Sequence, residues 1–351
     1  MPTAALTGKW DRKFEAEIQM VNILNNSYTV EPQTLDSVFS YWQRDGRQIP
    51  WRCLFVLPGW LNAWWKCFEQ RFDLYILSIG HKERTIGIAP LQRKDETVRL
   101  IGDKSVCDNL DFIVAPEKAS EFFQRLINYL HKDGIRRLEL EPVRSDSLVF
   151  TELLPVAAEM GCRTSYECND MSFELELPKS WDAYLDMLSG KERHEIRRKL
   201  RRLNEAGRIT YRLVEESGSV QKEMETFFTL FGSNRSDKAV FMSEQMNAFF
   251  RNLAETLTED RILKLFFLEL EGRAIAAVMC FDYQSTMYLY NNGYDNRFSS
   301  LSVGILSKVL SIKKSIQSGK RTYDFLKGSE DYKQRLGGKP VKIYRCLIEL
   351  T

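Results

Sequence analysis

TMYLYNNGYDNRFSSLSVGILSKVLSIKKSIQSGKRTYDFL, residues 286–326, is the stretch that decides the fold. It reads as strand, helix, strand. TMYLYNNGYD is extended, and the serine-rich segment after it opens a helix. Ile305, Val309, Ile312 and Ile316 then recur on one helical face until Gly319 stops it. RTYDFL (321–326) is the returning strand. Downstream, SEDYKQRLGG (329–338) is a short helix and VKIYRCLIEL (341–350) a last strand. Upstream, RILKLFFLELEG (261–272) and RAIAAVMCFDY (273–283) form a hairpin about Glu271-Gly272. ITYRLVEE (209–216) is a strand before them, followed by helical stretches near 219–233 and 243–257.

The first half shows the same order of elements. FDLYILSIG (72–80) and TIGIAPLQ (85–92) are strands, as are TVRLIG (97–102) and LDFIVAP (110–116). EKASEFFQRLINYLHKDG (117–134) has Phe122, Leu126, Tyr129 and Leu130 on one helical face. IRRLELEPV (135–143) is a strand. SDSLVFTELLPVAAEMG (145–161) is helical, with Ser145 as its N-cap and a kink expected at Pro155. SYECNDMSFELEL (165–177) returns to extended character. A supersecondary order repeated at about 150 residues points to two related α+β domains. They are placed at 1–170, with an N-terminal extension, and 171–351, meeting near residues 165–190 and each carrying its own sheet.

Composition narrows the function classes. A hydrophobic fraction of 44% and an aromatic fraction of 12% fill a core. The net charge of +2 argues against a wholesale nucleic-acid binder, so DNA is not an expected partner and any anion site must come from local clustering. Seven cysteines without a CxxC pair, and no leader pattern, lead to the expectation of a reduced, cytoplasmic chain. No apolar run approaches the roughly 18–20 residues of a membrane span, which leaves peripheral contact with an inner membrane surface as the closest approach to lipid. Three histidines and no cysteine cluster give no metal site, and HEIRR (194–198) lacks the second histidine of a zinc motif.

Local chemistry concentrates in three places. SSLSVGIL (299–306) offers the free N–H groups of a helix start, the hydroxyls of Ser299, Ser300 and Ser302, and close approach at Val303-Gly304, which together suit a diphosphate. YDFLKGSEDYKQRLGG (323–338) crowds Glu330, Asp331, Tyr332, Lys333 and Arg335 behind a strand end. A capped turn with Ser329 as N-cap explains the same charges. KERHEIRRKLRRLNEAGR (191–208) sets eight lysines and arginines against three glutamates around an Ile196, Leu200, Leu203 stripe. It can steer phosphates, phospholipid or tRNA, or simply link the domains. In WLNAWWKCF (60–68), Leu61, Trp64, Trp65 and Phe68 line one face, read as packing between the domains rather than a membrane anchor.

An ordered series of landmarks carries a family resemblance over most of the chain. LDSVFSYW (35–42), PGWLNAWWKCF (58–68), GIAPLQ (87–92), CDNLDFI (107–113), the basic helix, LYNNGYD (289–295), the Gly304 helix start and YDFLKGSEDYKQRLGG are similar to segments of the CelD/BcsL-like branch of the GNAT acyltransferases. That branch is related to the FemAB peptidyltransferases. The resemblance implies two tandem GNAT-like (acyl-CoA N-acyltransferase) domains, each a mixed, mostly antiparallel sheet flanked by helices. It implies acyl-CoA as donor and direct attack by an amine of a sugar, a lipid such as a long-chain base, or a peptide-like acceptor. One departure stands out: the pyrophosphate loop keeps a single glycine, Gly304.

On this mapping the strands before and after the Gly304 helix splay apart around the acyl group. Tyr290 and Asn291 lie at one lip and Asp324 at the other, with Asn291 orienting a reactant and Asp324 taking a proton from an ammonium. Tyr332 protonates the departing thiolate, Glu330 and Lys333 flank acceptor or phosphates, and Asp108 and Asp111 on a first-domain strand touch the acceptor. Two other readings stay open: a FemAB-like aminoacyl-tRNA-dependent transferase, which the small net charge disfavours, and a catalytically silent binding protein.

Overall fold

The computed structural model of the protein describes residues 28–45, 48–68, 72–233 and 243–350. The N-terminal extension, through residue 27, lies outside the described residues. The first half runs β1 (Tyr28–Gln33), α1 (Leu35–Asp45), α2 (Pro58–Phe68), β2 (Asp73–His81), β3 (Arg84–Lys94), β4 (Thr97–Leu100), β5 (Ile113–Val114), α3 (Ala119–Lys132), β6 (Arg137–Arg144), α4 (Leu154–Glu159) and β7 (Arg163–Glu176). The second runs α5 (Trp181–Met187), α6 (Gly190–Glu205), β8 (Ile209–Val214), α7 (Ser217–Gly232), α8 (Glu244–Glu259), β9 (Leu263–Leu270), β10 (Arg273–Tyr283), β11 (Thr286–Tyr294), α9 (Val303–Gln317), β12 (Thr322–Lys327), α10 (Asp331–Arg335) and β13 (Lys339–Glu349).

The repeat read from the sequence is present, and each half has the GNAT-like architecture of a mixed sheet flanked by helices. Strands β1 to β4 form an antiparallel meander, and β6 joins it parallel to β4. In the second half β8 to β11 repeat the meander and β12 joins parallel to β11. The sheets do not close separately, however. One path runs β1-β2-β3-β4-β6-β13-β7-β12-β11-β10-β9-β8. The last strand of the chain, β13, lies antiparallel between β6 and β7, while β7 lies between β13 and β12. Each half is thus completed by a strand of the other. This corrects the expectation of two independent sheets, and the boundary set between 170 and 171 falls inside β7. Periodicity marks a strand but carries no information on which edge it joins.

Local readings differ in places for physical reasons. LDFIVAP supplies only the two-residue β5, because the preceding backbone is held instead by β6 and by a side chain at Asp111. Within 145–161 a wide helical turn over Val149–Leu153 precedes α4, so Pro155 sits at a helix start and kinks nothing, and Ser145 caps no helix. Helix α2 does pack between the halves, but Trp60 leads. Its fully buried indole meets Phe249, Phe281 and Tyr290 of the second half edge-on at 6.0, 5.4 and 5.3 Å.

Helix α7 lies so close on β11 that Gly293 faces the backbone of Leu230 and Phe231, with no room for a Cβ. Gly293→Ala should therefore cost roughly 3 kcal/mol, at the upper end of overpacking. Chemical denaturation of the variant beside wild type checks this.

Candidate active site

The splayed strands are present. Strands β11 and β12 pair over only Thr286 to Tyr288 and Thr322 to Asp324, and then run on unpaired with each other. Because side chains alternate, the gap has two faces. Met287, Leu289, Tyr323 and Phe325 pack against Val309, Ile312 and Ile316 of α9. Tyr288 and Asp324 point the other way. A cavity lies on each face.

On the α9 face, a cavity of about 350 Å³ opens at the helix start. Ser299, Ser302, Val303 and Gly304 line it together with Tyr332, and α6 supplies Glu195 and Lys199 as its wall. Ser302 adopts left-handed geometry, φ 58°, and its carbonyl accepts the N–H groups of Ile305 (3.1 Å) and Leu306 (3.0 Å). The N–H groups of Val303 and Gly304 therefore precede the first intrahelical bond and remain available at the positive end of a 15-residue helix. Ser300 is exposed in the preceding turn and does not reach the cavity.

Gly304 answers to a different constraint from the one expected. A Cβ there would stand 2.6 Å from the Tyr294 ring, so the glycine admits the tyrosine rather than a diphosphate. A bulky replacement would displace α9 as well as any ligand. Beside Lys199, the cavity holds a second lysine, Lys308, one turn on, with its ammonium 2.7 Å from the Gly304 carbonyl and 4.8 Å above the Tyr332 ring. The sequence reading missed it. Its signal was the i, i+4 spacing from Gly304.

Tyr332 packs its ring on Phe325, and its hydroxyl makes no hydrogen bond among the described residues. Burial pushes the phenol above its ordinary pKa, so it stays protonated through the neutral range. Ser329 caps nothing: Glu330 holds the cap position of α10 without a side-chain bond. The turn is held instead by Lys333, which is only 2% exposed. Its ammonium donates to the carbonyls of Leu326 (3.0 Å), Gly328 (3.2 Å) and Lys327 and pairs with Glu330 at 3.0 Å. With its donors turned inward, Lys333 flanks neither acceptor nor phosphate, and Glu330 serves as its counter-ion outside both cavities. Lys333→Met should cost roughly 3 kcal/mol, since it leaves three carbonyls without their charged donor. A urea melt of this variant beside Glu330→Gln, which should lose under about 1 kcal/mol, checks the assignment.

On the opposite face, a polar cavity of about 300 Å³ is lined by Asp324, Glu174, Asp146, Asp111, Arg144 and Tyr288, with Arg52 and Cys53 at its edge. Asp324 is 2% exposed. Its Oδ1 accepts from Leu326 N–H at 2.8 Å and Ser172 Oγ at 3.2 Å. Its Oδ2 lies 3.6 Å from Arg144 Nη1. Burial and the neighbouring Glu174 carboxylate push its pKa up to about 7, with Arg144 pulling against them. Leu326 is held in left-handed geometry, φ 60°, between the Asp324 bond and the Lys333 bond. A leucine in that region marks strain stored beside the gap.

Asp111 reaches this cavity from the loop before β5, not from a strand. It accepts from Phe112 N–H (2.9 Å) and Leu148 N–H (3.0 Å), and burial pushes it up to about 7. Asp108, on the same loop, lies outside the cavity, where it receives the Lys327 N–H at 3.2 Å and pins the end of β12. Tyr290 is core: its ring lies in the Trp60 cluster and its hydroxyl donates to the Val106 carbonyl at 2.8 Å. Asn291, opposite Met279 in the ladder, lines neither cavity. Arg144, Asp146 and Glu174 escaped the sequence reading, for no local pattern marks them. Among the described residues, no three His, Cys, Asp or Glu side chains group to hold a metal, and no helix is long and apolar enough to cross a membrane.

Residues 190–334 match the family model described as an acetyltransferase (GNAT) domain. The fold is similar to the crystal structure of FemX, with a TM-score of 0.64 at 13% identity over 91% of this chain and 96% of that one. It is also similar to a conserved protein of unknown function from Bacteroides thetaiotaomicron (TM-score 0.55, 10% identity, 91% and 99% covered). L-PGS from Bacillus licheniformis aligns at TM-score 0.52 and 10% identity, over 83% of this chain and 90% of that one. Comparison with curated proteins gives no significant match.

Proposed function

We propose that this chain, whose residues 190–334 match the acetyltransferase (GNAT) domain, transfers an acyl group from acyl-CoA to an amine. The observation that carries the reading is the pair of cavities on opposite faces of the sheet where β11 and β12 part. In this reading the thioester comes from the α9 side and the amine from the acid-lined side, and the two are brought together where the strands part, which is catalysis by positioning.

The residues fit a phosphate-bearing donor: two free N–H groups at the start of α9, with Lys199 and Lys308 beside them. Four carboxylates against two arginines make the opposite cavity a seat for a cation. There Asp324 takes the proton of the acceptor ammonium, and the amine attacks the thioester carbonyl. The C–N bond forms as the C–S bond breaks, Tyr332 gives its proton to the departing thiolate, and the surplus proton of the new amide nitrogen leaves to water, from which the phenol recovers its own. The acceptor class is an amine on a sugar, a long-chain base or a peptide-like group, in line with the CelD/BcsL-like resemblance, at the cytoplasmic face of a membrane or in the cytoplasm.

The outward arginines of α6, Arg197, Arg198, Arg201 and Arg202, support a second reading, in which the donor is an aminoacyl-tRNA. Titration calorimetry with acetyl-CoA, a long-chain acyl-CoA and charged tRNA decides the donor. Heat with a CoA thioester alone is expected. Heat with charged tRNA alone overturns the donor assignment, and heat with neither makes the fold a scaffold.

A further inference from the structure

Arg144 sits where the two halves of the molecule share strands. It ends β6 in the first half, yet its guanidinium reaches past β13 to β7 and β12. Nε and Nη2 hold both oxygens of Asp146 at 2.9 and 3.0 Å. Nη1 bonds Glu174 and stands 3.6 Å from Asp324 Oδ2. Glu174 and Asp324 are themselves direct partners in the β7–β12 ladder, so two carboxylates lie side by side with one guanidinium between them.

We infer that Arg144 is a positioning residue: by neutralising Glu174 and standing 3.6 Å from Asp324 Oδ2 it lets Asp324 ionise and serve as the proton acceptor. The inference rests on the proposed amine transfer for its catalytic meaning, though not for its proton chemistry.

The charged and titratable groups around Asp324 come from several elements. Glu174 and Ser172 face it from β7, and Arg144 and Asp146 from the end of β6. Tyr288 faces it from β11, while Asp108, Asp111, Arg52 and Cys53 come from first-half loops, and Lys327 closes its own strand. The nearest of them divide sharply by sign. Glu174 opposes ionisation of Asp324 and Arg144 favours it, while Asp108 adds a smaller repulsion. Arg144 does not itself titrate in the working range. Burial works against its charge, but the bonds to Asp146 and Glu174 raise its pKa above the ordinary value. Its bidentate grip on Asp146 also fixes the fork, so the third contact cannot drift.

Opposite signs make the inference testable with two single substitutions. Arg144→Gln leaves Glu174 charged beside Asp324, and should raise the proton affinity of Asp324 by roughly tenfold or more, about one pH unit. Glu174→Gln removes the like charge and should lower it by a similar factor. The readout is the carboxyl ¹³C titration of Asp324 in aspartate-labelled full-length protein, assigned by loss of the signal in Asp324→Asn. Arg144→Lys should restore part of the shift. Should Arg144→Gln not fold, the Glu174→Gln titration carries the test, because Glu174 is 30% exposed at its side chain and tolerates the change. An unchanged Asp324 titration in Glu174→Gln, or a downward shift in Arg144→Gln, overturns the inference. Where transfer to an amine is measured, the rising limb of the pH–rate profile, where Asp324 loses its proton, should move with the NMR value in each variant. A merely structural Arg144 would instead lower the rate equally at every pH. Absence of transfer with the expected NMR shifts would count against the proposed reaction, leaving the coupling between Arg144, Glu174 and Asp324 in place.

Discussion

Asp324→Asn should lower kcat by about 10²–10⁴-fold, the usual value of a positioned proton acceptor, while the acyl-donor affinity stays near wild type. The variant is nearly isosteric, and its Oδ1 keeps the bonds from Leu326 N–H and Ser172. In wild type the rate should rise with pH through about 7, as Asp324 loses its proton, and this limb should vanish in the asparagine variant. Stability should move the other way. A carboxyl whose folded pKa is raised to about 7 binds its proton more tightly folded than unfolded, where the value is about 3.9. Its contribution is fully present below the unfolded value and is lost as pH rises toward about 7. Asp324→Asn should therefore gain melting temperature over wild type at pH 8 and show no such gain at pH 4. Full kcat in a folded Asp324→Asn protein, with chemistry shown to be rate-limiting, would remove Asp324 from the reaction.

Tyr332→Phe should bring a loss of similar size, about 10²–10⁴-fold in kcat with little change in the KM for acyl-CoA. The ring keeps its contact with Phe325 and its place beneath the Lys308 ammonium, so only the hydroxyl is lost. That hydroxyl makes no hydrogen bond among the described residues, and folding should lose nothing measurable with it. A melting curve beside steady-state kinetics separates the outcomes. A stability loss with normal turnover would make the phenol a packing group. A turnover loss in an equally stable protein is the result expected of an acid that acts on the leaving thiolate.

The two residues differ in how they could be found. Tyr332 and the start of α9 belong to stretches whose conformation is decided within a few residues. Helix spacing from Ile305 to Ile316, the Gly319 stop and the strand Thr322–Lys327 all emerge from local period and capping, and the structure keeps them. Even so, two local inferences changed once neighbours in space were present. Gly304 is required by Tyr294, and the polar turn at 328–335 is closed by buried Lys333 rather than by a serine cap. Each depends on a contact from outside the turn or on burial, which spacing does not report.

The sequence by itself determined the element order, the duplication and the serine-rich helix start that lines the α9-side cavity. Tertiary structure alone decided the acid cavity. Its residues come from Arg52, the 101–112 loop, β6, β7, β11 and β12, and they meet only because β7 and β13 are exchanged between the halves. Strand β7 is mostly exposed from Arg163 to Met171, so no apolar alternation announces its partners. Its partners, β12 and β13, both belong to the second half and lie far away in sequence. That pairing carries Glu174 to Asp324 and brings Arg144 within reach of both.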